Sequence, residues 1–166
     1  MATAIYPGSF DPVTLGHVDV IERAAAIFEH VTVLVSVNLT KPHFFTITER
    51  EGYLRRAVCG IPNVTVTSHS GLLADYLRRS SASIIVKGIR AISDFEYEFQ
   101  MAQVNKVLCE TARTVFIPAD EKYTFLSSSV VRQVGLLGGN IDTFVPNCVA
   151  SDISAALLRR AVLTEG

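Results

Sequence analysis

The chain has 166 residues, a formal net charge of −1 at pH 7 and 49% hydrophobic residues. Length and composition predict one globular domain over residues 1–166 with a hydrophobic core, and they exclude a disordered chain. The charge balance gives no reason to expect nucleic-acid binding, and no apolar run is long enough for a membrane span. We expect no signal peptide, because the N-terminus has no basic segment leading into an apolar one. Cys59, Cys109 and Cys148 are an odd number of widely spaced cysteines, which predicts a cytoplasmic protein without a disulfide framework or a zinc site.

Segments typical of strands and helices alternate along the chain. Short runs rich in β-branched residues predict strands over 3–6, 31–37, 64–67, 83–86 and 114–117. Apolar residues at helical spacing predict helices over 18–28, 47–58, 72–77 and 93–110, another after 129 that breaks at 138–139, and a last one after 146. This alternation predicts an α/β fold: a Rossmann-like, doubly wound, five-stranded parallel sheet with helices on both faces. Ligands of such sheets bind beyond the carboxyl ends of the strands.

Two of these helices begin with the sequence pattern of a capping box. Thr46-Ile47-Thr48-Glu49 and Ser93-Asp94-Phe95-Glu96 each place a hydroxyl group three residues before a carboxylate. We therefore expect Thr46 and Ser93 to be the N-cap residues of the two helices.

The most informative motif lies at the first strand-to-helix turn. It runs from Pro7-Gly8-Ser9-Phe10-Asp11-Pro12 to Thr14-Leu15-Gly16-His17 and puts a histidine at a helix N-terminus, where unpaired N–H groups and the helix dipole attract anions. Gly8 and Gly16 are expected to let the backbone approach a ligand closely. The alternative is an ordinary capped turn with a solvated histidine, but the strand–turn–helix context favours a functional site.

Two further motifs follow predicted strands and can reach the same crevice. Lys87-Gly88-Ile89-Arg90 places two cations beside a glycine just after the fourth strand, and both cations suit phosphate. Tyr123-Thr124-Phe125-Leu126-Ser127-Ser128-Ser129 puts three serines at a helix start, with Arg132 one turn later, which favours a phosphate clamp. The alternatives are solvated loop cations and a redundant N-cap. Lys41 is a weaker candidate. The remaining histidines lack the spacing of metal ligands: His30, His43 and His69.

In this order, the three motifs resemble those of the phosphopantetheine adenylyltransferases of bacterial coenzyme A biosynthesis. Those enzymes belong to a nucleotidyltransferase superfamily with an (H/T)-x-G-H motif and a later serine-rich motif. Gly16-His17 is common to the superfamily, whereas Lys87 to Arg90 with Asp94-Phe95-Glu96-Tyr97-Glu98 and Gln100-Met101-Ala102 is much narrower. The resemblance covers residues 6–146.

The resemblance implies one reaction and one kind of assembly. ATP and 4′-phosphopantetheine would give dephospho-coenzyme A and pyrophosphate, with Mg²⁺ as cofactor and no metal ligands expected among the side chains. We expect direct in-line attack, because a phosphate oxyanion is already nucleophilic and needs neither a covalent residue nor a general base. The family also implies a homohexamer and feedback inhibition by coenzyme A.

A set of site residues follows from the same resemblance. His17 would stabilise the transition state at the α-phosphate, and Lys41 and Arg90 would share in catalysis. Phosphopantetheine would be held by Ser9, Lys41, Leu73 and Lys87. The residues expected to bind ATP are Ser9, Phe10, His17, Gly88, Ile89, Arg90, Glu98, Tyr123, Thr124, Phe125, Leu126, Ser127, Ser128 and Ser129. Many family members have arginine at the position of Lys87, and the loop around Lys41 varies in the family.

The predicted helix over 95–108 is apolar on more than one side. Phe95 and Phe99 lie near one line of the helix, and Tyr97, Val104 and Leu108 lie near another. In a chain of this size the pattern favours a subunit interface, and the alternative is a helix buried within a single core.

Two other functions remain open at this point. One is a related enzyme that adenylylates or cytidylylates a different phosphate, such as a nicotinate mononucleotide adenylyltransferase; the segment over 94–101 does not fit it. The other is a nucleotide- or coenzyme A-binding regulator without catalysis. The intact set of charged and polar groups argues against the regulator: His17, Lys41, Lys87, Arg90 and Ser129.

Overall fold

The computed structural model describes residues 2–37, 42–80 and 82–164. Within them the strands are β1 (Thr3–Gly8), β2 (His30–Ser36), β3 (Val64–His69), β4 (Ile84–Ile89) and β5 (Arg113–Pro118). The helices are α1 (Leu15–Ile27), α2 (Ile47–Ala57), α3 (Leu73–Arg79), α4 (Ile92–Leu108), α5 (Ser128–Leu136) and α6 (Asn147–Thr164), with a short 3₁₀ turn over Glu121–Tyr123.

The strands form one parallel sheet in the order β3-β2-β1-β4-β5. Successive residues of each strand face opposite sides of the sheet, so each side has its own apolar core. Tyr6, Val33 and Val86 pack into the core that includes residues of α1, α2, α5 and α6. Ile5, Leu34 and Ile85 pack into the core that includes residues of α3 and the turn after α4. The predicted doubly wound α/β fold is therefore confirmed.

The sheet divides at its centre, where the strand order reverses. β1 pairs with β2 from Thr3 to Gly8, but it pairs with β4 only at Ala4 and Ile5. Beyond these pairs the two central strands separate towards their carboxyl ends, which opens a crevice at the topological switch point. Pro7, which has no N–H to donate, lies in this separated part of β1.

Several predicted boundaries differ from the structure: β1 and β3 each end two residues later than predicted, at Gly8 and His69. β4 does not end at Val86 but continues to Ile89, because Lys87 pairs with Phe116 and Ile89 pairs with Pro118 of β5. The helix predicted to start at Ser93 begins at Ile92 after the N-cap Ala91, so the second capping box is wrong. The first is confirmed, since Thr46 Oγ1 accepts the Glu49 N–H at 3.2 Å and Glu49 Oε2 accepts the Thr46 N–H at 2.8 Å.

Helix α4 leaves large apolar side chains on the surface of the single chain. Val107 is 81% exposed and Tyr97 61%, and Phe99 is 47% exposed beside the half-exposed Phe95. The alternative of a helix buried in one core is therefore wrong. No helix in the described part of the chain is long and apolar enough to cross a membrane.

Candidate active site

The carboxyl edge of the sheet carries the predicted site residues. Ser9 and Phe10 follow β1, Leu73 opens α3 shortly after β3, and Tyr123 ends the 3₁₀ turn that follows β5. Lys87, Gly88 and Ile89 are the last three residues of β4, and Arg90 follows directly. Because the strands are parallel, all these segments meet at one edge. Lys41, with its neighbours over 38–40, lies outside the described residues.

His17 is fixed at the start of α1 by reciprocal hydrogen bonds with the N-cap residue Thr14. The Thr14 backbone N–H donates to His17 Nδ1 at 3.0 Å, and Thr14 Oγ1 accepts the His17 backbone N–H at 3.3 Å. Histidine here takes the place that Glu or Gln has in an ordinary capping box. The Phe10 ring contacts the imidazole edge to face, with 5.0 Å between centroids. These contacts hold the imidazole in one orientation.

The surroundings of His17 set its protonation. Burial, reinforced by the charge of Arg90, lowers its pKa to about 4, so the imidazole is neutral near pH 7. Nδ1 accepts a backbone N–H and cannot carry a proton at the same time. The proton of the neutral ring must therefore be on Nε2. His17 thus offers an N–H donor to an anion without carrying a charge itself.

Side chains of the chain itself lie close to Gly8 and Gly16. A Cβ at Gly8 would lie 2.9 Å from the tip of the Phe10 ring, and one at Gly16 would lie 3.4 Å from Tyr123 Cβ. Phe10 is buried and has a φ of 47°, the left-handed region that a non-glycine residue occupies at some cost. Gly8 therefore gives space to the Phe10 ring, whereas Tyr123 lies at ordinary contact distance from Gly16. The close approach of a ligand to the backbone of these two glycines stays a prediction.

Both cations of the Lys87–Arg90 segment pair with acids on α4. Lys87 Nζ lies 3.0 Å from Glu98 Oε2, and Arg90 Nε lies 3.0 Å from Asp94 Oδ2. The Arg90 guanidinium also donates to the Leu126 carbonyl at 2.5 Å, which ties β4 to the segment before α5. The four charged side chains are each about one fifth to one third exposed, so the pairs remain accessible from the crevice.

The three serines before α5 have three different partners. Ser127 is the N-cap, since its Oγ accepts the Val130 N–H at 3.2 Å. Ser128 Oγ donates to the Pro12 carbonyl at 2.7 Å, and Ser129 Oγ accepts from Arg132 Nη2 at 3.2 Å. One serine thus caps the helix, and the other two contact neighbouring groups of the site. The backbone N–H groups in the first turn of α5 have no acceptor within the helix. The redundant-cap alternative does not describe this arrangement.

The rest of the segment over 123–129 surrounds these serines. Thr124 Oγ1 donates to the Glu121 carbonyl at 2.9 Å, and Leu126 is buried. The Phe125 side chain is 63% exposed and contacts the Phe144 ring edge to face at 6.3 Å. An exposed aromatic ring beside the crevice is available to a ligand.

Two buried charged residues that the sequence did not single out organise the loops of the site. The Asp11 carboxylate accepts the N–H groups of Phe44 and Phe45, both at 2.8 Å. Arg132 donates to the Asp11 backbone carbonyl, and its Nη1 lies 3.4 Å from the Asp11 carboxylate. Arg50, 2% exposed, donates to the carbonyl oxygen of Ser9 at 2.7 Å. Asp11 stood within the first motif, whereas nothing around Arg50 distinguishes it from the exposed cations of the same helix.

The described side chains do not form a metal site of their own. No group of three or more His, Cys, Asp or Glu residues among them could hold a metal ion. The carboxylate oxygens of Asp11 already accept two backbone amides.

Comparison with known proteins identifies the family of this chain. The family model described as cytidylyltransferase-like matches residues 5–134. A phosphopantetheine adenylyltransferase from Dictyoglomus thermophilum is 50% identical over 153 residues, 92% of this chain and 93% of that protein. One from Heliobacterium modesticaldum is 50% identical over 149 residues, 90% of this chain and 89% of that protein. This chain belongs to the phosphopantetheine adenylyltransferase family. The resemblance stated from the motifs is confirmed, and so is the expectation of an enzyme.

A more distant structure shares the architecture of this phosphopantetheine adenylyltransferase family member. A crystal structure described as a candidate nicotinate-nucleotide adenylyltransferase from Vibrio parahaemolyticus matches with a TM-score of 0.68 and 21% identity, over 100% of this chain and 98% of the other. At that identity the similarity concerns the fold, in agreement with the predicted Rossmann-like sheet.

The low pKa of His17 predicts a specific dependence of stability on pH. The folded pKa of about 4 lies below the ordinary 6.5, so the unfolded chain binds the proton more tightly. Stability that is complete above pH 6.5 is then lost as the pH falls towards 4. Between pH 7 and pH 5 we expect His17 to account for a loss of about 2 kcal/mol in unfolding free energy.

Urea unfolding of the wild type and the His17→Gln variant at the two pH values measures this loss. Glutamine suits the same position of a capping box but does not titrate. The variant should therefore lose less stability than the wild type on acidification. Equal losses in both proteins would mean that His17 is not held as a neutral ring.

Proposed function

We propose that this chain transfers the adenylyl group of ATP to 4′-phosphopantetheine by direct in-line attack. An oxygen of the phosphopantetheine phosphate forms a bond to the α-phosphorus of ATP. The bond from that phosphorus to the bridging oxygen breaks, and pyrophosphate leaves with the electron pair. The products are dephospho-coenzyme A and pyrophosphate, and no proton has to be moved. The observation that carries this proposal is the His17 N–H donor, fixed by Thr14 at the edge of the central crevice, in a chain half identical to relatives named for the activity.

His17 is the group we assign to the α-phosphate. Negative charge on the α-phosphoryl oxygens shifts as the bonds to phosphorus change, and a donor that is already oriented stabilises that charge without reorganisation. A neutral imidazole also needs no counter-ion in the free enzyme. Phe10 and Thr14 maintain the orientation, so His17 acts from a fixed position.

Lys87 and Lys41 are assigned to the attacking phosphate. Two anionic substrates repel each other, and an ammonium group between them lowers that repulsion. The contact of Lys87 with Glu98 supports this role, because it holds the ammonium group at the crevice before the substrate arrives. Ser9 and Leu73, at the ends of β1 and β3, would complete the phosphopantetheine site.

The nucleotide is assigned to the other half of the crevice. Arg90 and the segment over 123–129 would hold the β- and γ-phosphates, with the amides at the start of α5 as further donors. Phe10, Gly88, Ile89 and Glu98 would line the remainder of the nucleotide site. Since the described side chains form no metal site of their own, we propose that Mg²⁺ arrives bound to the phosphates of ATP.

Assembly and regulation extend the proposal. The exposed apolar face of α4, defined by Ile92, Tyr97, Phe99, Val104 and Val107, supports a homohexamer in which this helix contacts a neighbouring subunit. Coenzyme A contains the pantetheine arm and would compete for the same crevice, so we expect it to act as a feedback inhibitor. The free cysteines Cys59, Cys109 and Cys148 suit a cytoplasmic location.

Pyrophosphate release tests the reaction. The purified protein is incubated with ATP, Mg²⁺ and 4′-phosphopantetheine, with parallel samples containing nicotinate mononucleotide or glycerol 3-phosphate, and with CTP as the alternative donor. We expect release only with ATP and phosphopantetheine. Release with another acceptor would contradict the substrate, and no release in any sample, with ATP still bound, would contradict catalysis.

Replacing His17 should reduce the rate rather than substrate binding. We expect His17→Ala to lower kcat by ~10²–10³-fold, the loss found when one preorganised donor is removed. His30→Ala is the control, because His30 begins β2 at the opposite edge of the sheet. A folded His17→Ala protein with near wild-type kcat would remove His17 from this role.

Replacing Lys87 should mainly affect the KM for phosphopantetheine. Lys87→Ala removes a charge-assisted contact, so we expect that KM to rise roughly 10- to 100-fold. Lys87→Arg keeps the charge and should be tolerated. Arg55→Ala, which removes an exposed cation of α2, should leave the KM unchanged. An unchanged KM in Lys87→Ala would refute the assignment.

The exposed apolar face of α4 should hold the subunits of the hexamer together, and the mass of the protein in solution reports whether it does. Sedimentation analysis at micromolar concentration should give six times the 18.1 kDa chain mass. Val107→Glu places a charge on the exposed α4 face and should dissociate the assembly, whereas Leu137→Glu, on a similarly exposed residue after α5, should not. A monomeric wild type, or a hexamer unaffected by Val107→Glu, would contradict the interface.

A further inference from the structure

A cavity of about 170 Å³ lies between the start of α5 and the segment that precedes α2. On the α5 side it is lined by Ser128, Ser129 and Arg132, and Ser9 and Asp11 contribute from the loop after β1. The wall formed by the segment before α2 consists of Pro42 and His43. His43 is the histidine of this wall, and neither the motifs nor the roles assigned above include it.

The backbone that carries His43 is anchored on both faces. The next two residues, Phe44 and Phe45, donate their N–H groups to the buried Asp11 carboxylate. The Arg160 guanidinium lies over their rings, 4.9 and 5.2 Å from the centroids. The half-buried His43 side chain therefore starts from a fixed backbone position at the cavity wall.

The cavity has an excess of groups that attract anions. Arg132 supplies a guanidinium, and the Ser129 hydroxyl, which accepts from Arg132, still has its own proton to donate. The Asp11 carboxylate, the acid in the lining, already accepts two amides and has Arg132 beside it. Burial and the charge of Arg50, with a further contribution from Arg132 and against that of Asp11, lower the pKa of His43. The ring is thus neutral at pH 7 before a ligand binds, and a neutral imidazole donates through one N–H.

We propose that His43 binds the β- and γ-phosphoryl end of ATP, and hence the leaving pyrophosphate, from the side opposite α5. The inference rests on the proposed function, which puts the serine segment on the same phosphates. The nucleotide end would be held between Ser129 and Arg132 on one side and His43 on the other. Donors on both sides of the anion make the site more selective than a helix N-terminus alone.

Calorimetric titration with inorganic pyrophosphate tests the inference on the intact protein. His43→Ala should raise the Kd for pyrophosphate roughly tenfold, the loss expected for one hydrogen bond to a charged ligand. His43→Lys should bind pyrophosphate more tightly than His43→Ala does, with a Kd closer to that of the wild type, because an ammonium group also donates. His30→Ala is the matched histidine control. Circular dichroism checks that each variant is folded.

Further ligands show whether His43 contacts the β- and γ-phosphates of ATP or the phosphate of phosphopantetheine. AMP, which lacks the β- and γ-phosphates, should bind the wild type and His43→Ala equally, and the KM for phosphopantetheine should be the same in both. A defect confined to phosphopantetheine would overturn the assignment to pyrophosphate. Equal pyrophosphate affinity in the wild type and both His43 variants would overturn the role of His43 altogether.

The inference and the proposed function fail in different ways. A wild type that neither binds pyrophosphate nor releases it from ATP would contradict the proposed function and this inference together. A wild type that does both, with His43 variants that match it, contradicts this inference alone. If His43→Ala does not fold, His43→Lys decides: a tenfold loss despite the retained donor would indicate a purely structural residue.

Discussion

The site depends on the pair of hydrogen bonds between Thr14 and His17. They cap the N-terminus of α1 and fix the orientation of the imidazole ring. Because Nδ1 accepts in one of them, the proton of the neutral ring is on Nε2. A helix cap made with Glu or Gln would satisfy the same backbone groups but would not supply an N–H donor from an aromatic ring. Because desolvation and the charge of Arg90 disfavour the protonated ring, its pKa is low and the donor is neutral. Local folding and the chemistry proposed for the α-phosphate therefore rest on the same two residues.

Buried polar contacts hold the surrounding loops against this cap. The division between β1 and β4 opens the crevice, and it also removes ladder partners that would otherwise fix the loop after β1. Side-chain hydrogen bonds take the place of these ladder partners. The Asp11 carboxylate accepts the N–H groups of Phe44 and Phe45, and the Arg50 guanidinium donates to the Ser9 carbonyl. Side-chain hydrogen bonds thus give shape to the crevice where the sheet ends, and breaking one would leave buried partners unsatisfied.

Much of this arrangement was predictable from the sequence where local rules decide it. Strand alternation gave the sheet, and the Thr46–Glu49 box gave the start of α2, because both depend on neighbours in the chain. The Ser93–Glu96 box failed because pairing with β5 extends β4 to Ile89, and α4 then begins at Ile92. The Phe10 ring beside Gly8 was not predicted, because its position depends on tertiary packing. Arg50 could not be found, since its burial depends on loops distant in sequence.

The protonation of His17 is the claim on which the mechanism depends most directly. Long-range ¹H–¹⁵N correlation spectra of the protein with ¹⁵N-labelled histidine report which ring nitrogen carries the proton, and His17→Gln assigns the signal. At pH 6 to 7 we expect a neutral ring with the proton on Nε2 and an unprotonated Nδ1. A doubly protonated ring, or a proton on Nδ1, would contradict a neutral donor held for the α-phosphate.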